Sequence, residues 1–229
     1  MIKRIFILLL LISFTFPAMS QGRDWKLIRQ PGISVDFNDL FFVGTQNGWA
    51  AGKGGALIHT SDSGKTWKMQ DTNTKKEIHK LFFVDDKTGW AVGADGLILY
   101  TEDGQSWKPQ AIGTQKWILS IFFVDKNTGW VCGDGGAIFR TDDGGKKWYP
   151  QNTGMDDPFT EISFADINKG WAVSSKGNII NTIDGGKTWV PQESEIASTF
   201  DGMFFINDKQ GWIVGGLGTM LRLCRRRRC

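Results

Sequence analysis

The chain is poor in several of the residue types and patterns that would define its chemistry directly. Of its 229 residues only three are cysteine, at Cys132, Cys224 and Cys229, too few for a disulfide framework. Cys132 stands in Gly129-Trp130-Val131-Cys132-Gly133, where matching segments carry Ala51, Val92, Val173 and Val214, so it reads as a small buried apolar residue. Beyond Phe16 no stretch is apolar enough to span a bilayer, which excludes a later membrane span. Net charge is small as well. The formal +3 falls to +1 without Lys3 and Arg4, and to −3 without Arg225 to Arg228. A body that close to neutral carries no nucleic-acid footprint. No stretch keeps a helical period over three turns, which removes the helical repeat folds.

What is present begins at the start. Met1-Ile2-Lys3-Arg4 leads into a greasy run from Ile5 to Phe16, then small residues at Ala18 and Ser20. That order predicts a secretory signal over 1–20 with cleavage before Gln21. As a helix the run rises about 18 Å, short of the roughly 30 Å of a hydrocarbon core. The mature protein is therefore expected in a periplasmic or extracellular location, with a repeat domain over 21–222 and an anomalous basic tail over 223–229.

The repeat decides the architecture. Gly-Trp recurs at Trp49, Trp90, Trp130, Trp171 and Trp212, at spacings of 41, 40, 41 and 41. A second tryptophan recurs at Trp67, Trp107, Trp148 and Trp189. A period near 40 with several short β-rich runs per unit predicts an all-β chain, a β-propeller of four-stranded blades with five repeat units. One unit reads as strands at Leu81 to Val84, Trp90 to Val92 and Leu97 to Tyr100, with a fourth starting at Trp107. Trp25 to Ile28 matches a fourth strand. Two arrangements stay open, a partial arc of a larger propeller and a closed five-blade ring. The end, Leu223-Cys224-Arg225, stands where another turn motif belongs and reads as a truncated copy of a longer parent.

Between third and fourth strands lies Thr60-x-Asp62-x-Gly64-Lys65-Thr66-Trp67, repeated from Thr141 and Thr182 and, one residue shorter, from Thr101. This is similar to the Asp-box, or bacterial neuraminidase repeat. Asp62, Asp103, Asp143 and Asp184 are expected to be structural, each accepting amide hydrogens of its own turn. Glycosidases need two carboxylates converging on one bond, and one aspartate per blade does not converge. Calcium loops need several oxygen donors, and these turns offer one or two acids. No catalytic, metal or cofactor residue is assigned.

Gly-Trp-Ala-Val-Gly, then Gly-x-Ile, then Thr-x-Asp-Gly-Gly-Lys-Thr-Trp, from about Trp25 to Arg222, resembles the photosystem II assembly and stability factor family. The resemblance implies a non-enzymatic propeller that acts by binding, with a protein as partner. A glycan is the other possible ligand. The enzymatic alternative is a sialidase-like or other glycoside hydrolase propeller, which would use an arginine cluster and a Tyr–Glu pair. The tyrosines here are Tyr100 and Tyr149, and body arginines are few.

Binding on such scaffolds lies on variable loops. The links from fourth to first strands vary most, over Asp71 to Lys80, Ala111 to Ser120, Asn152 to Glu161 and Glu193 to Gly202. Trp117 alone among the tryptophans falls outside the repeating columns, aligning with Asp36, Glu77, Pro158 and Thr199, and is the candidate anchor. His79, Lys80, Asp39, Glu161 and Asp201 begin the inner strands and are candidates to line a channel mouth, and Glu77 is a further candidate binding residue.

Overall fold

The computed structural model describes residues 32–194, 196 and 198–223. The expected signal segment, the strand expected at Trp25 to Ile28 and tail residues 224–229 lie outside the described residues. The first blade comprises β1 (Phe37–Val43), β2 (Asn47–Gly52), β3 (Leu57–Thr60) and β4 (Lys68–Met69). The second comprises β5 (Ile78–Phe83), β6 (Gly89–Gly93), β7 (Ile98–Thr101) and β8 (Lys108–Pro109). The third holds β9 (Ile118–Phe123), β10 (Gly129–Gly133), β11 (Ile138–Thr141) and β12 (Tyr149–Gln151). The fourth holds β13 (Phe159–Phe164), β14 (Gly170–Ser174), β15 (Ile179–Thr182) and β16 (Val190–Gln192). The fifth, among the described residues, has β17 (Phe200–Asn207), β18 (Gln210–Gly215) and β19 (Met220–Arg222). Each sheet is an antiparallel meander in chain order.

Strand limits differ from the sequence expectation for local reasons. Inner strands start about three residues earlier, because a bulge at the second residue lets Ile78 pair with Gly93. Third strands start one residue later where Leu97 N donates to Ala94 O at 3.0 Å and closes a one-turn bend. Fourth strands start after the second tryptophan and are two or three residues long.

One aromatic assembly is repeated along the arc and explains the Gly-Trp motif. The tryptophan of each blade stacks on a phenylalanine of the next: Trp49 on Phe83, Trp90 on Phe123, Trp130 on Phe164 and Trp171 on Phe205, at 3.6–4.1 Å between centroids. Each of those phenylalanines lies flat across the glycine of its own Gly-Trp; a Cβ on Gly129 would stand 2.5 Å from Phe123 Cδ1. The Asp-box tryptophan meets the same ring edge-on, as Trp107 does Phe83 at 5.9 Å and 90°. Aromatic pairs in these geometries add to the energy of burial alone. Trp49, Trp90 and Trp130 are fully buried and also donate Nε1–H to Gly104, Gly144 and Gly185 carbonyls in the Asp-box of the next blade, at 2.9, 3.2 and 3.0 Å.

The Asp-box turns close on themselves. Asp62 Oδ1 accepts from Thr66 N (2.9 Å) and Thr60 Oγ1 (2.8 Å), Oδ2 accepts from Thr66 Oγ1 (2.6 Å), and Thr60 Oγ1 accepts from Gly64 N. Asp184 repeats the set with Thr182 and Thr188. In the shortened copy Asp103 accepts from Gln105 N and Ser106 N instead, at 2.8 and 2.7 Å. The Thr66 and Thr188 hydroxyls, followed by their amides, hold the Asp62 and Asp184 carboxyls at about 2, below an ordinary 3.8. A carboxyl depressed in the folded state adds stability above its unfolded pKa and loses it as pH falls through the folded value. Urea midpoints are therefore expected to fall between about pH 4 and about pH 2, and to fall less in Asp184→Asn. Equal slopes in the two proteins would remove the turn from that account.

The inner strands β1, β5, β9, β13 and β17 succeed one another around a common centre. Among the described residues the five sheets form an open arc rather than a closed ring.

Candidate functional site

The two faces of the arc are built differently. On one, Asp-box turns hydrogen-bond to the first-to-second-strand turns, as Gly144 N does to Asn127 O and Gly185 N to Asn168 O, both at 2.8 Å. On the other, the bend after each second strand donates to the residue just before the inner strand. Lys53 N reaches Asp36 O, Ala94 N reaches Glu77 O, Asp134 N reaches Trp117 O, Ser175 N reaches Pro158 O and Gly216 N reaches Thr199 O, at 2.9–3.1 Å. Contact is so close that a Cβ on Gly133 would sit 1.9 Å from the Trp117 carbonyl. This column has its backbone pinned five times while its side chain varies freely. Trp117 stands in this column with 46% of its surface exposed.

The structure brings the sequence-predicted residues together in two pairs, Trp117 with His79 and Lys80 with Glu161. His79 lies beside Trp117, ring centroids 5.2 Å apart, and its Nδ1–H donates to Ile118 O at 2.9 Å. Glu77 accepts from Asn38 Nδ2 at 2.9 Å. Lys80 and Glu161 pair at 3.2 Å across the third blade, and Ser120 Oγ donates to Glu161 at 2.8 Å. Burial pushes the Glu161 carboxyl up against the pull of Lys80 and Ser120. Burial works to lower the Lys80 pKa, but the charges of Glu161 and then Asp39 outweigh it, leaving it raised. Asp201 is exposed on the fifth blade.

Several of these side chains join blades. An innermost strand has a free edge, and its backbone groups need partners. The bulge residues of three blades supply donors to the next blade: Asn38 to Ile78 O, His79 to Ile118 O and Thr160 to Phe200 O, at 2.8, 2.9 and 2.6 Å. One residue on, Asp39 accepts from Leu81 N at 2.8 Å. Leu119 cannot donate, and Cys132 Sγ takes the Phe159 carbonyl at 3.4 Å instead. Burial raises the Cys132 thiol pKa well above its usual value. Asn38, Ser120 and Thr160 were absent from the sequence-based candidates; the available signal was a column with hydrogen-bonding residues in four of the five inner strands, Asn38, His79, Thr160 and Asp201. Among the described residues no group of three His, Cys, Asp or Glu is placed to hold a metal ion.

Meandering sheets succeeding one another around a centre and tied by Asp-box turns define a β-propeller of the Asp-box class. The family model described as "Photosynthesis system II assembly factor YCF48" matches residues 12–102, 100–189 and 158–224, and the chain belongs to that family. No curated protein sequence matches it. A solved structure of YCF48 bound to a D1 peptide aligns over 90% of this chain and 96% of that one, at 19% identity and a TM-score of 0.50. The WD40 propeller domain of Doa1 aligns over 86% and 67%, at 13% identity and a TM-score of 0.69. The GH74 enzyme of Niastella koreensis aligns over 77% of this chain and 33% of its own, at 12% identity and a TM-score of 0.65. At these identities the structural likeness is one of fold.

Proposed function

We propose that this chain is a non-enzymatic, exported scaffold of the assembly- or stability-factor kind, holding a segment of a protein partner on the face that carries Trp117. The observation that carries the reading is the column of five pinned backbones with an exposed tryptophan at its third position. A side chain presented by a rigid main chain loses little entropy on binding, and tryptophan is favoured at interface hot spots. Family membership supports a protein partner, as does the D1 peptide bound by the YCF48 structure. The charge pattern of the first twenty residues supports export.

Against hydrolysis stand the positions of the groups a sialidase-like site would need. Tyr100 packs on Trp90 at 5.5 Å within the blade. Arg140 is held by Asp142 at 2.7 Å and the Gly185 carbonyl at 2.9 Å, and lies over Trp130. A glycan-binding reading draws on the exposed Trp117, with the half-buried His79 ring beside it.

The test is calorimetric titration with the D1 peptide and with xyloglucan oligosaccharides, beside turnover assays on xyloglucan, β-glucan and a sialoside. Saturable peptide binding with no turnover is expected. Hydrolysis of any substrate, or binding of glycan alone, would overturn the reading.

A further inference from the structure

Trp117 stands at the seam between the second and third blades, and its main chain is held from both. Three successive carbonyls are bonded there. Lys116 O accepts from Gly96 N of the second blade at 2.9 Å, and Trp117 O accepts from Asp134 N of its own blade at 3.0 Å. Ile118 O accepts from His79 Nδ1–H of the second blade at 2.9 Å. With both flanks tied, the freedom left to the residue lies in its side-chain torsions. The His79 ring lies against the indole, centroids 5.2 Å apart and planes at 46°. One side chain therefore does two things: its nitrogen closes the blade junction, and its ring blocks one side of the indole.

The same placement recurs at the preceding junction with different chemistry. Asn38, the bulge residue of β1, donates to Ile78 O at 2.8 Å and to the Glu77 carboxylate at 2.9 Å. Glu77 holds the pinned column position of the second blade, as Trp117 does of the third. In both cases a bulge residue bonds the main chain just after the next blade's column residue and touches that residue's side chain. A bulge takes its extra residue out of the regular alternation, which aims the side chain across the junction. The chemistry of each pair matches, an amide with a carboxylate and a ring with a ring. At the following junctions the same two positions hold Leu119 with Pro158, both apolar, and Thr160 with Thr199, both hydroxyl-bearing.

We infer, on the reading of this face as the binding face, that His79 is the positioning residue of the Trp117 site. It holds the indole in one orientation toward a bound protein segment, so the recognition element is composite, built from β5 and the residue before β9. A side chain confined beforehand gives up less entropy when a partner covers it. Immobilising a loose one weakens binding by about two- to tenfold.

The experiment separates the two jobs of His79. His79→Asn keeps a donor for the Ile118 carbonyl, as Asn38 is for Ile78, but removes the ring. His79→Phe keeps a ring and removes the donor; Leu119 has no donor at that place, and its junction forms. The readout is the heteronuclear nitrogen–proton NOE of the Trp117 indole, assigned by its loss in Trp117→Phe, which senses picosecond-to-nanosecond motion. The buried, hydrogen-bonded indoles of Trp90 and Trp130 give the rigid reference. In the wild type Trp117 is expected close to that reference. His79→Asn is expected to unfold like the wild type while the Trp117 NOE drops. His79→Phe is expected to melt somewhat earlier and keep the NOE. A residue serving the junction alone would leave the NOE unmoved in His79→Asn, which overturns the inference. So does a mobile Trp117 in the wild type, or an NOE lost in His79→Phe as deeply as in His79→Asn.

Titration with the D1 peptide reads the consequence, about two- to tenfold weaker binding in His79→Asn and wild-type affinity in His79→Phe. Full affinity in His79→Asn also overturns the inference. A peptide that fails to bind the wild type sinks the reading of the face instead, while the indole measurement, which needs no ligand, still decides whether His79 holds Trp117.

Discussion

Trp130→Ala is expected to lower unfolding free energy by about 3–5 kcal/mol, the range for removing a buried tryptophan. Trp130 is fully buried and stacks on Phe164 at 3.6 Å and 13°. Its Nε1–H donates to Gly185 O at 3.0 Å, and the Arg140 guanidinium lies 5.3 Å from its ring centre. Truncation therefore opens a cavity between the third and fourth blades and strips a partner from an Asp-box carbonyl. Chemical denaturation measured at one temperature reads the loss directly. A change under about 1 kcal/mol would mean that the column is not a packing element, since surface substitutions fall in that range.

Gly129→Ala, the neighbouring change, is expected to cost about 1–3 kcal/mol, the range for overpacking a filled core. In an ordinary strand the same substitution would help, because glycine lacks a side chain to pack and has more freedom to lose on folding. Here the new Cβ would stand 2.5 Å from Phe123, whose other face carries Trp90. The ring cannot retreat without breaking that stack. Adding Phe123→Leu should therefore lose less than the sum of the two single costs, the signature of residues in contact. Strict additivity would show that the glycine is not chosen by the ring.

These two positions show how much was legible beforehand. The Gly-Trp period and the Asp-box turns are local patterns, so the blades, their strand order and the box aspartates could be read from residue types and spacing. Why glycine precedes tryptophan could not, because its reason is a phenylalanine six residues earlier in the same blade and a tryptophan 33 or 34 residues before that. The edge bonds of the inner strands were hidden for the same cause. Asn38, His79 and Thr160 do one job with three chemistries, each toward a carbonyl about forty residues on. Such variety reads as a variable loop until the blades are placed side by side. Lys80 and Glu161 are further apart still, joined across an intervening blade. Trp117 could be picked out because it breaks a column. What the sequence did not show is that its backbone is pinned while nearly half of its surface stays exposed.

The division of labour between the two faces is the claim that ties these observations together, with structure on the Asp-box face and binding on the other. Titration of the D1 peptide into wild type, Trp117→Ala and Asp184→Ala, each below its unfolding temperature, tests it most directly. Trp117→Ala is expected to unfold like the wild type and bind at least about tenfold more weakly, the loss of roughly 1.4 kcal/mol or more typical of a tryptophan anchor. Asp184→Ala is expected to unfold more easily and bind as tightly as the wild type. Full affinity in Trp117→Ala, together with lost affinity in an undiminished Asp184→Ala, would contradict the account and move the binding surface to the Asp-box face.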